Sequence, residues 1–472
     1  MISPARNLAF RFIEHIEARR INSDDAVNHH EMERLDVRDR RLAAEIIYGV
    51  LRRRATLDWL LAGRSSRPWK KISQKVKIIL RMSLYQLWML DRIPDHALIN
   101  DAVELAKREL GPGVSRYVNG LLRGLARQRP WNENNWLDKA PEYAQFSLPP
   151  WLWARWQKRF GRAAAKQYAL SLLSHPRAAF RFGSSRIFHG DSASIKQSDI
   201  VPGAFFTADE GHENGFPPGV YFQDEASQLI PWLAGPPKPG IEIWDACAAP
   251  GGKSAVFAAM PCKGMFIVSS DSSPRRVEHL RGVLTQTDAI PLATSENPGL
   301  CVTLPRQNAH LPCVNSAFVS VASLDSEVFG GRPLVLAADA RFAPPFRSAF
   351  DLVCADVPCS GLGTLRRNPE IKWRIRPEDL NSLCEIQRQI LANVSTAVRP
   401  GGRLLYSTCS TEPEENERII EDFLETHPDF RLQAPEHPAG IDRWTGSDLM
   451  VRTFPARRLW DGFFAALLVR KG

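Results

Sequence analysis

The first 246 residues of this 472-residue chain contain no cysteine; all eight cysteines lie from Cys247 to Cys409. A secreted disulfide framework would not be so lopsided in so long a chain, so the thiols read as reduced. No C-x-x-C pair occurs, which argues against a structural zinc site. No apolar run approaches the roughly 20 residues that span a bilayer. The stretch MISPARNLAFRFIEHIEARR carries charge throughout and lacks the uninterrupted apolar centre of a signal peptide. Neither G-x-G-x-x-G nor the phosphate loop G-x-x-x-x-G-K-[ST] is present. These absences point to a cytoplasmic protein, expected as a monomer, with no membrane partner and no metal.

What is present is unevenly charged. The net charge is +9, and residues 1–130 hold 25 Lys/Arg against 15 Asp/Glu, a surplus that accounts for the whole excess. A basic first third beside a near-neutral remainder suits a polyanion-binding module attached to a catalytic one. A solvated basic helical face would give the same count.

Residues 1–130 are helical by pattern. ARNLAFRFIEHIEARR, DRRLAAEIIYGVLRRRATLDWLLA, KVKIILRMSLYQLWML, ALINDAVELAKREL and VSRYVNGLLRGLARQ each repeat apolar residues at three and four. Pro94-Asp95 and Gly111-Pro112-Gly113 punctuate them, and five such segments make an all-α bundle. The run RMSLYQLWMLDRIPDHALINDAVELAK, followed by SRYVNGLLRGLAR, resembles the NusB-type RNA-binding helical domain.

Residues 131–220 say less. Trp131, Trp136, Trp151, Trp153 and Trp156 crowd one stretch, with WLWARWQKRFG read as a helix. AAFRFGSSRIF and GVYFQDEAS bracket a polar stretch that fits a small α+β linker domain. Aromatics beside arginine can stack on bases, but packing is the commoner use of such tryptophans.

From Tyr221 the pattern alternates strand, loop and helix, which implies an α/β domain on a parallel sheet covered on both faces. GIEIWDACAAPGGK, MFIVSSD, PLVLAADAR, DLVCADVPCSG and GGRLLYSTCS supply successive strands, and FFAALLVR reads as a last edge strand. About fifty residues near 285–333, with Cys301 and Cys313, exceed any ordinary connection and read as an insertion.

The strand ends carry the chemistry. The loop Cys247, Ala248, Ala249, Pro250, Gly251, Gly252 and Lys253 lets the backbone approach a ligand closely. Asp271 at the next strand end suits a ribose diol, and Asp339 could reach the base end of a nucleoside cofactor. Simple helix capping is the alternative for both acids. Asp356, Cys359 and Cys409 lie where two further strands run into Ser/Gly/Pro loops, a placement that favours thiol chemistry over inert core.

DACAAPGGK, ADVPCSGLGTLRRNPEIKW and YSTCSTEPEENE resemble the signatures of the NOL1/NOP2/Sun family of RNA cytosine-C5 methyltransferases, and QDEASQL is similar to that family's lead-in helix. With a NusB-like domain in front, nearly the whole chain resembles the branch that methylates 16S ribosomal RNA in bacteria. FRFG at Phe180–Gly183 departs from the family's R-x-N segment.

The resemblance implies a Rossmann-like S-adenosylmethionine-dependent methyltransferase domain (221–472), preceded by an all-α NusB-like domain (1–130) and a small α+β linker (131–220). It implies S-adenosyl-L-methionine as cofactor and small-subunit ribosomal RNA as partner. It places the nucleophile at Cys409, the residue that assists adduct release at Cys359, and an acid on the cytosine edge at Asp356. Lys253 falls in the cofactor site. Cys247 is expected to line that site and Cys354 to be core. Arg366, Arg367 and Lys372 read either as phosphate contacts or as a solvated charged loop. Cytosine C5 is a poor nucleophile, so a thiolate must first add to C6, which independently calls for a reactive cysteine and a nearby acid. The rival readings are the same chemistry on tRNA, or a non-catalytic RNA-binding ribosome-assembly factor.

Overall fold

A computed structural model describes the chain except residues 1, 92, 183–194, 208–215, 217–219, 288, 290–300, 304–332, 345, 436 and 455–459. Most of the expected insertion, Cys313 included, and Gly183 of the FRFG segment lie outside the described residues. The chain forms two compact units, one of Met1–His175 with Leu365–Ile375, the other of Pro176–Thr364 with Arg376–Gly472.

All five periodic segments of the first unit are helices: Pro4–Glu17, Val37–Ala62, Gln74–Met89, Asp95–Leu110 and Pro112–Gln128. Asp36 caps the second by accepting from the Asp39 N–H at 2.7 Å. Gly111, at φ 88°, ends the fourth, and Pro112 opens the fifth at its first turn. Phe10, Phe12, Ile46, Ile79, Leu84, Leu105 and Leu122 meet in one core. Within it Arg81, 2% exposed, joins Asp58 (2.7 and 2.8 Å) and Glu17 (2.7 Å). Two carboxylates satisfy the buried guanidinium, as burial of such a charge requires.

The tryptophans are packing residues. Trp136 lies against Trp59 and Trp88, with ring centroids 6.2 and 5.1 Å away. WLWARWQKRFG is the helix Pro150–Phe160, whose Trp153 meets Phe146 and whose Trp156 stacks on Tyr168 at 4.3 Å.

Leu365–Ile375 is built into this helical unit. Glu370 accepts from Ser23 Oγ at 2.7 Å and Ser23 N at 3.1 Å, while Trp373 Nε1 donates to the Leu51 carbonyl at 2.7 Å. Lys372 is 1% exposed and donates to the Arg52 carbonyl at 2.9 Å. Burial, with Arg52 and Arg53 adding like charge, pulls its amine well down. Arg366 is also fully buried. Neither side chain is therefore presented to a phosphate, which corrects that expectation for both.

The span 131–220 is divided between the units, its helices in the first and its strands in the second. In the second unit Ala179–Phe182 (β1), Ile195–Gln197 (β2), Phe205–Thr207 (β3) and Val220–Phe222 (β4) make an antiparallel sheet in the order β2-β3-β1-β4. The larger sheet comprises Glu242–Asp245 (β5), Phe266–Asp271 (β6), Cys301–Thr303 (β7), Leu334–Ala337 (β8), Phe350–Asp356 (β9), Val398–Thr408 (β10), Phe430–Gln433 (β11), Val451–Arg452 (β12) and Phe464–Arg470 (β13). Its order is β11-β13-β10-β9-β5-β6-β8-β7, with β12 paired to β13.

From β10 through β7 every pairing is parallel, whereas β13 runs antiparallel to β10, β11 and β12. FFAALLVR is thus an interior strand and not an edge: Phe464 through Leu468 are all buried, as packing on both faces requires. From β5 the chain moves outward through β6 to β8, then returns to β9 on the other side and continues to β10. The crevice at the carboxyl ends of β5 and β9 is therefore the topological switch point where open α/β sheets bind ligands.

Helix Val37–Ala62 carries Gly49 against the Tyr85 ring; a Cβ there would come within 2.0 Å of Tyr85 Cζ. Helix propensity alone favours Gly49→Ala by about 1 kcal/mol. The collision should reverse the sign and cost about 1–3 kcal/mol, read as a lowered melting temperature of the full chain. A raised melting temperature would contradict the packing.

Candidate active site

The two cysteine loops meet because β9 and β10 pair in parallel with Asp356 opposite Ser407. Cys359 and Cys409 follow these strand ends, and their sulfurs lie 3.1 Å apart although fifty residues separate them. Both are free thiols and half-buried. The Cys359 thiol is pushed well up by its hydrogen bond with the Cys409 sulfur and by burial. The pair therefore resists carrying two negative charges.

Asp356 is the third member of this group. Its carboxylate accepts from Lys253 Nζ at 2.6 Å and from Ser407 Oγ at 2.8 Å. Burial pulls the Lys253 amine down, but Asp356 more than offsets it, so the amine stays raised and charged. Lys253 also lies over the Phe463 ring, 5.2 Å from its centroid. The ion pair leaves the carboxylate 28% exposed and the amine 9% exposed, so the acid is the accessible partner.

A close backbone contact fixes the loop after Cys359. Gly363 N donates to the Cys409 carbonyl at 2.9 Å, and a Cβ at Gly363 would lie 1.9 Å from the Gly462 carbonyl oxygen. Only glycine fits between these two strand-end segments.

The Cys247–Lys253 loop follows β5. Gly251 takes φ +120°, a conformation that favours glycine, and a Cβ on it would meet Leu280 at 2.9 Å. A Cβ at Gly252 would meet Gln223 at 2.8 Å. These glycines let the loop press on its own neighbours as well as open a backbone surface. Cys247 is pushed well up by burial and by Asp271, Asp245 and Asp356, so it stays a neutral thiol. Cys354, fully buried in β9, is pushed up in the same way.

Asp271 ends β6, accepts from Ala249 N at 3.2 Å and pairs with Arg276 at 3.3 Å. Burial raises its carboxyl, opposed by Arg276 and by backbone N–H groups. Asp339 lies two residues beyond β8 and pairs with Arg341 at 2.6 Å. With Asp245 and Asp356, these acids stand at the ends of four adjacent strands. Asp271, Asp339 and Asp356 offer carboxylate acceptors around a small-residue loop, a set that suits a nucleoside with a diol and a cationic centre such as S-adenosylmethionine.

Four residues of this site were not anticipated from sequence: Ser407, Asp245, Ser254 and Glu415. Asp245, the last residue of β5, is fully buried and accepts from Ser254 Oγ at 2.6 Å, its other oxygen having no partner. Its position at a strand end just before CAAPGGK was the available signal.

Burial pushes the Asp245 carboxyl up to about 7, against the Ser254 hydrogen bond and Lys253. The unfolded carboxyl titrates near about 3.9. A raised folded pKa means the group's stabilising contribution is fully present below about pH 4 and is lost as pH rises through about 7. Asp245→Asn holds a neutral side chain at every pH, so its melting temperature should gain on the native chain's between pH 5 and pH 8. Parallel curves would show that Asp245 does not titrate there.

Comparison with known proteins agrees with the geometry. Residues 3–127 match the NusB family, and residues 328–469 match the family described as 16S rRNA methyltransferase RsmB/F. A probable ribosomal RNA small subunit methyltransferase B of Synechocystis sp. is 30% identical, over 99% of this chain and 99% of its own. The Bacillus subtilis protein of the same description is 28% identical over 93% and 92%. The crystal structure of PH0851 has the same fold, with a TM-score of 0.74, 23% identity and 99% coverage of both chains. The chain therefore belongs to the RsmB branch of the NOL1/NOP2/Sun family: it is a ribosomal RNA methyltransferase with a NusB-like domain in front.

Proposed function

We propose that the chain methylates C5 of a specific cytosine in 16S ribosomal RNA through a covalent bond between Cys409 and C6 of the base. The observation that carries this reading is the cluster of the two thiols, 3.1 Å apart, with Asp356 at the paired strand ends. A single nucleophile would need one thiol. Two in contact suit a reaction that must both make and undo a carbon–sulfur bond.

The Cys409 thiolate adds to C6 of the extruded cytosine, and the ring electrons move toward C5, which becomes enamine-like. Asp356, held by Lys253 and Ser407, accepts from the exocyclic amine and fixes the ring against the thiols. S-adenosylmethionine, when bound, supplies the methyl group at an electrophilic sulfonium. Residues Cys247, Ala248, Ala249, Pro250, Gly251, Gly252 and Lys253 would hold it, with Asp271 on the ribose, Asp339 toward the adenine and Asp356 at the rim.

The thiol pair has a built-in order. While the Cys409 sulfur is ionised, Cys359 is kept protonated by the contact and by burial. Once Cys409 is bonded to carbon its charge is gone, and the charge that held Cys359 up is removed. Cys359 then releases its thiol proton to solvent, its thiolate takes the C5 proton, and the electron pair of the broken C–H bond returns to the ring and expels Cys409 as thiolate. Methylated base and free enzyme result.

Cys409→Ala should abolish both methyl transfer to unmodified small-subunit rRNA and covalent attachment to it. Cys359→Ala should accumulate a covalent protein–RNA species that runs as a slow band in denaturing gels. Appearance of the band with Cys409→Ala and not with Cys359→Ala would reverse the two roles. Failure of the native chain to transfer a labelled methyl group would favour a non-catalytic assembly factor.

A further inference from the structure

Behind the thiols lies a polar cluster that the reaction above does not use. The carboxylate of Glu415 is fully buried, six residues after Cys409 and in the loop that precedes helix Glu417–Thr426. One of its oxygens accepts from Ser360 N at 2.7 Å and from Gln387 Nε2 at 3.1 Å. The other accepts from Ser360 Oγ at 2.5 Å and from Ser410 Oγ. Ser360 follows Cys359 and Ser410 follows Cys409, so a single carboxylate takes the hydroxyl beside each thiol. The two hydroxyls are themselves 3.1 Å apart.

The surroundings extend the tie. Gln387 Nε2 also donates to the Pro358 carbonyl at 3.0 Å, the residue before Cys359. Tyr406 OH donates to the Glu415 carbonyl at 2.6 Å. Asn416 accepts from Thr408 Oγ1 at 2.6 Å and donates to the Ser410 carbonyl at 3.0 Å, bracketing Cys409. A buried carboxylate with its donors is often no more stabilising than an apolar filling of the same space, so the cluster is better accounted for by a geometry that it fixes. The geometry available to be fixed is the approach of the two sulfurs.

We propose that Glu415 is a positioning residue: it clamps the Cys359 and Cys409 loops through Ser360 and Ser410 and so sets the spacing of the two thiols. It touches neither substrate nor cofactor and acts only through the serines. The inference rests on the two-thiol reading of the reaction, but the clamp itself is a statement about geometry and has its own test.

Glu415→Gln keeps the size of the side chain and removes one of the acceptors that the serines need. Ser410→Ala cuts the tie to the Cys409 loop alone, and stands in should Glu415→Gln fail to fold. Two readouts apply to each folded variant. The first is the rate at which diamide converts Cys359 and Cys409 to a disulfide in the full-length protein, which reports proximity and needs no activity. The second is single-turnover methyl transfer to unmodified small-subunit rRNA.

The clamp predicts that disulfide formation slows on the order of tenfold, and that methyl transfer falls by about a hundredfold with KM for RNA unchanged, as for a displacement near 1 Å. Slower disulfide formation in the variants, with a native chain that itself transfers no methyl group, would leave the clamp standing and overturn the proposed reaction. Native rates of disulfide formation in both Glu415→Gln and Ser410→Ala would overturn the clamp.

Discussion

The parallel pairing of β9 with β10 is the constraint on which the site depends. Its register sets Cys354 beside Leu405, Ala355 beside Tyr406 and Asp356 beside Ser407. A slip by one residue would turn every one of these side chains to the opposite face of the sheet. Asp356 would lose Ser407, and the two thiol loops would leave the strands at different heights. Register is held by packing on both faces: Val353, Cys354, Ala355, Leu404, Leu405 and Tyr406 are all fully buried, so a slip would have to repack each of them. A one-residue slip has no polar face to offer to water.

Onto this apolar frame the carboxyl ends of the strands load an unusual density of charge and hydroxyl groups. Asp245, Asp271, Lys253 and Glu415 are buried, Asp356 is half-buried, and each has at least one hydrogen bond or ion pair. The pairings are unequal. Asp356 holds the Lys253 amine charged, whereas Asp245 has one oxygen with no partner and its carboxyl is pushed up by burial. Local stability is spent where geometry has to be kept, as is common at reaction sites.

Much of this was legible in the amino-acid order. Five helices of the first unit carry a 3.6 period, with Pro94-Asp95 and Gly111-Pro112-Gly113 marking breaks between them, and the structure reproduces each. The strands of the methyltransferase unit announce themselves as apolar runs that stop at Asp271, Asp356 or the Thr408-Cys409 pair. The central place of β13 was not legible, because an apolar run reports burial and not neighbours. Lys372 and Arg366 misled for a related reason. A basic run reads as surface unless something else reveals that the segment is packed, and the groups that bury it come from residues more than three hundred positions earlier. Glu415 sits in a visibly acidic stretch, EPEENE, where nothing local separates the buried carboxylate from its half-buried neighbours Glu414 and Glu417, which pair with Arg418 and Arg452.

The placement of Leu365–Ile375 bears on how this protein is divided. The segment issues from the loop that carries Cys359, yet its buried lysine, glutamate and tryptophan belong to the helical unit. No single break in the polypeptide separates the two units. A fragment that stops at His175 gives up a strip of its own interior, with the Leu51 and Arg52 carbonyls and the Ser23 hydroxyl losing their partners. A fragment that starts at Pro176 keeps a peptide whose Lys372 and Trp373 have nothing to pack on. The units are interleaved in the chain, so neither could be exchanged between relatives as a simple cassette without carrying that short piece of the other with it.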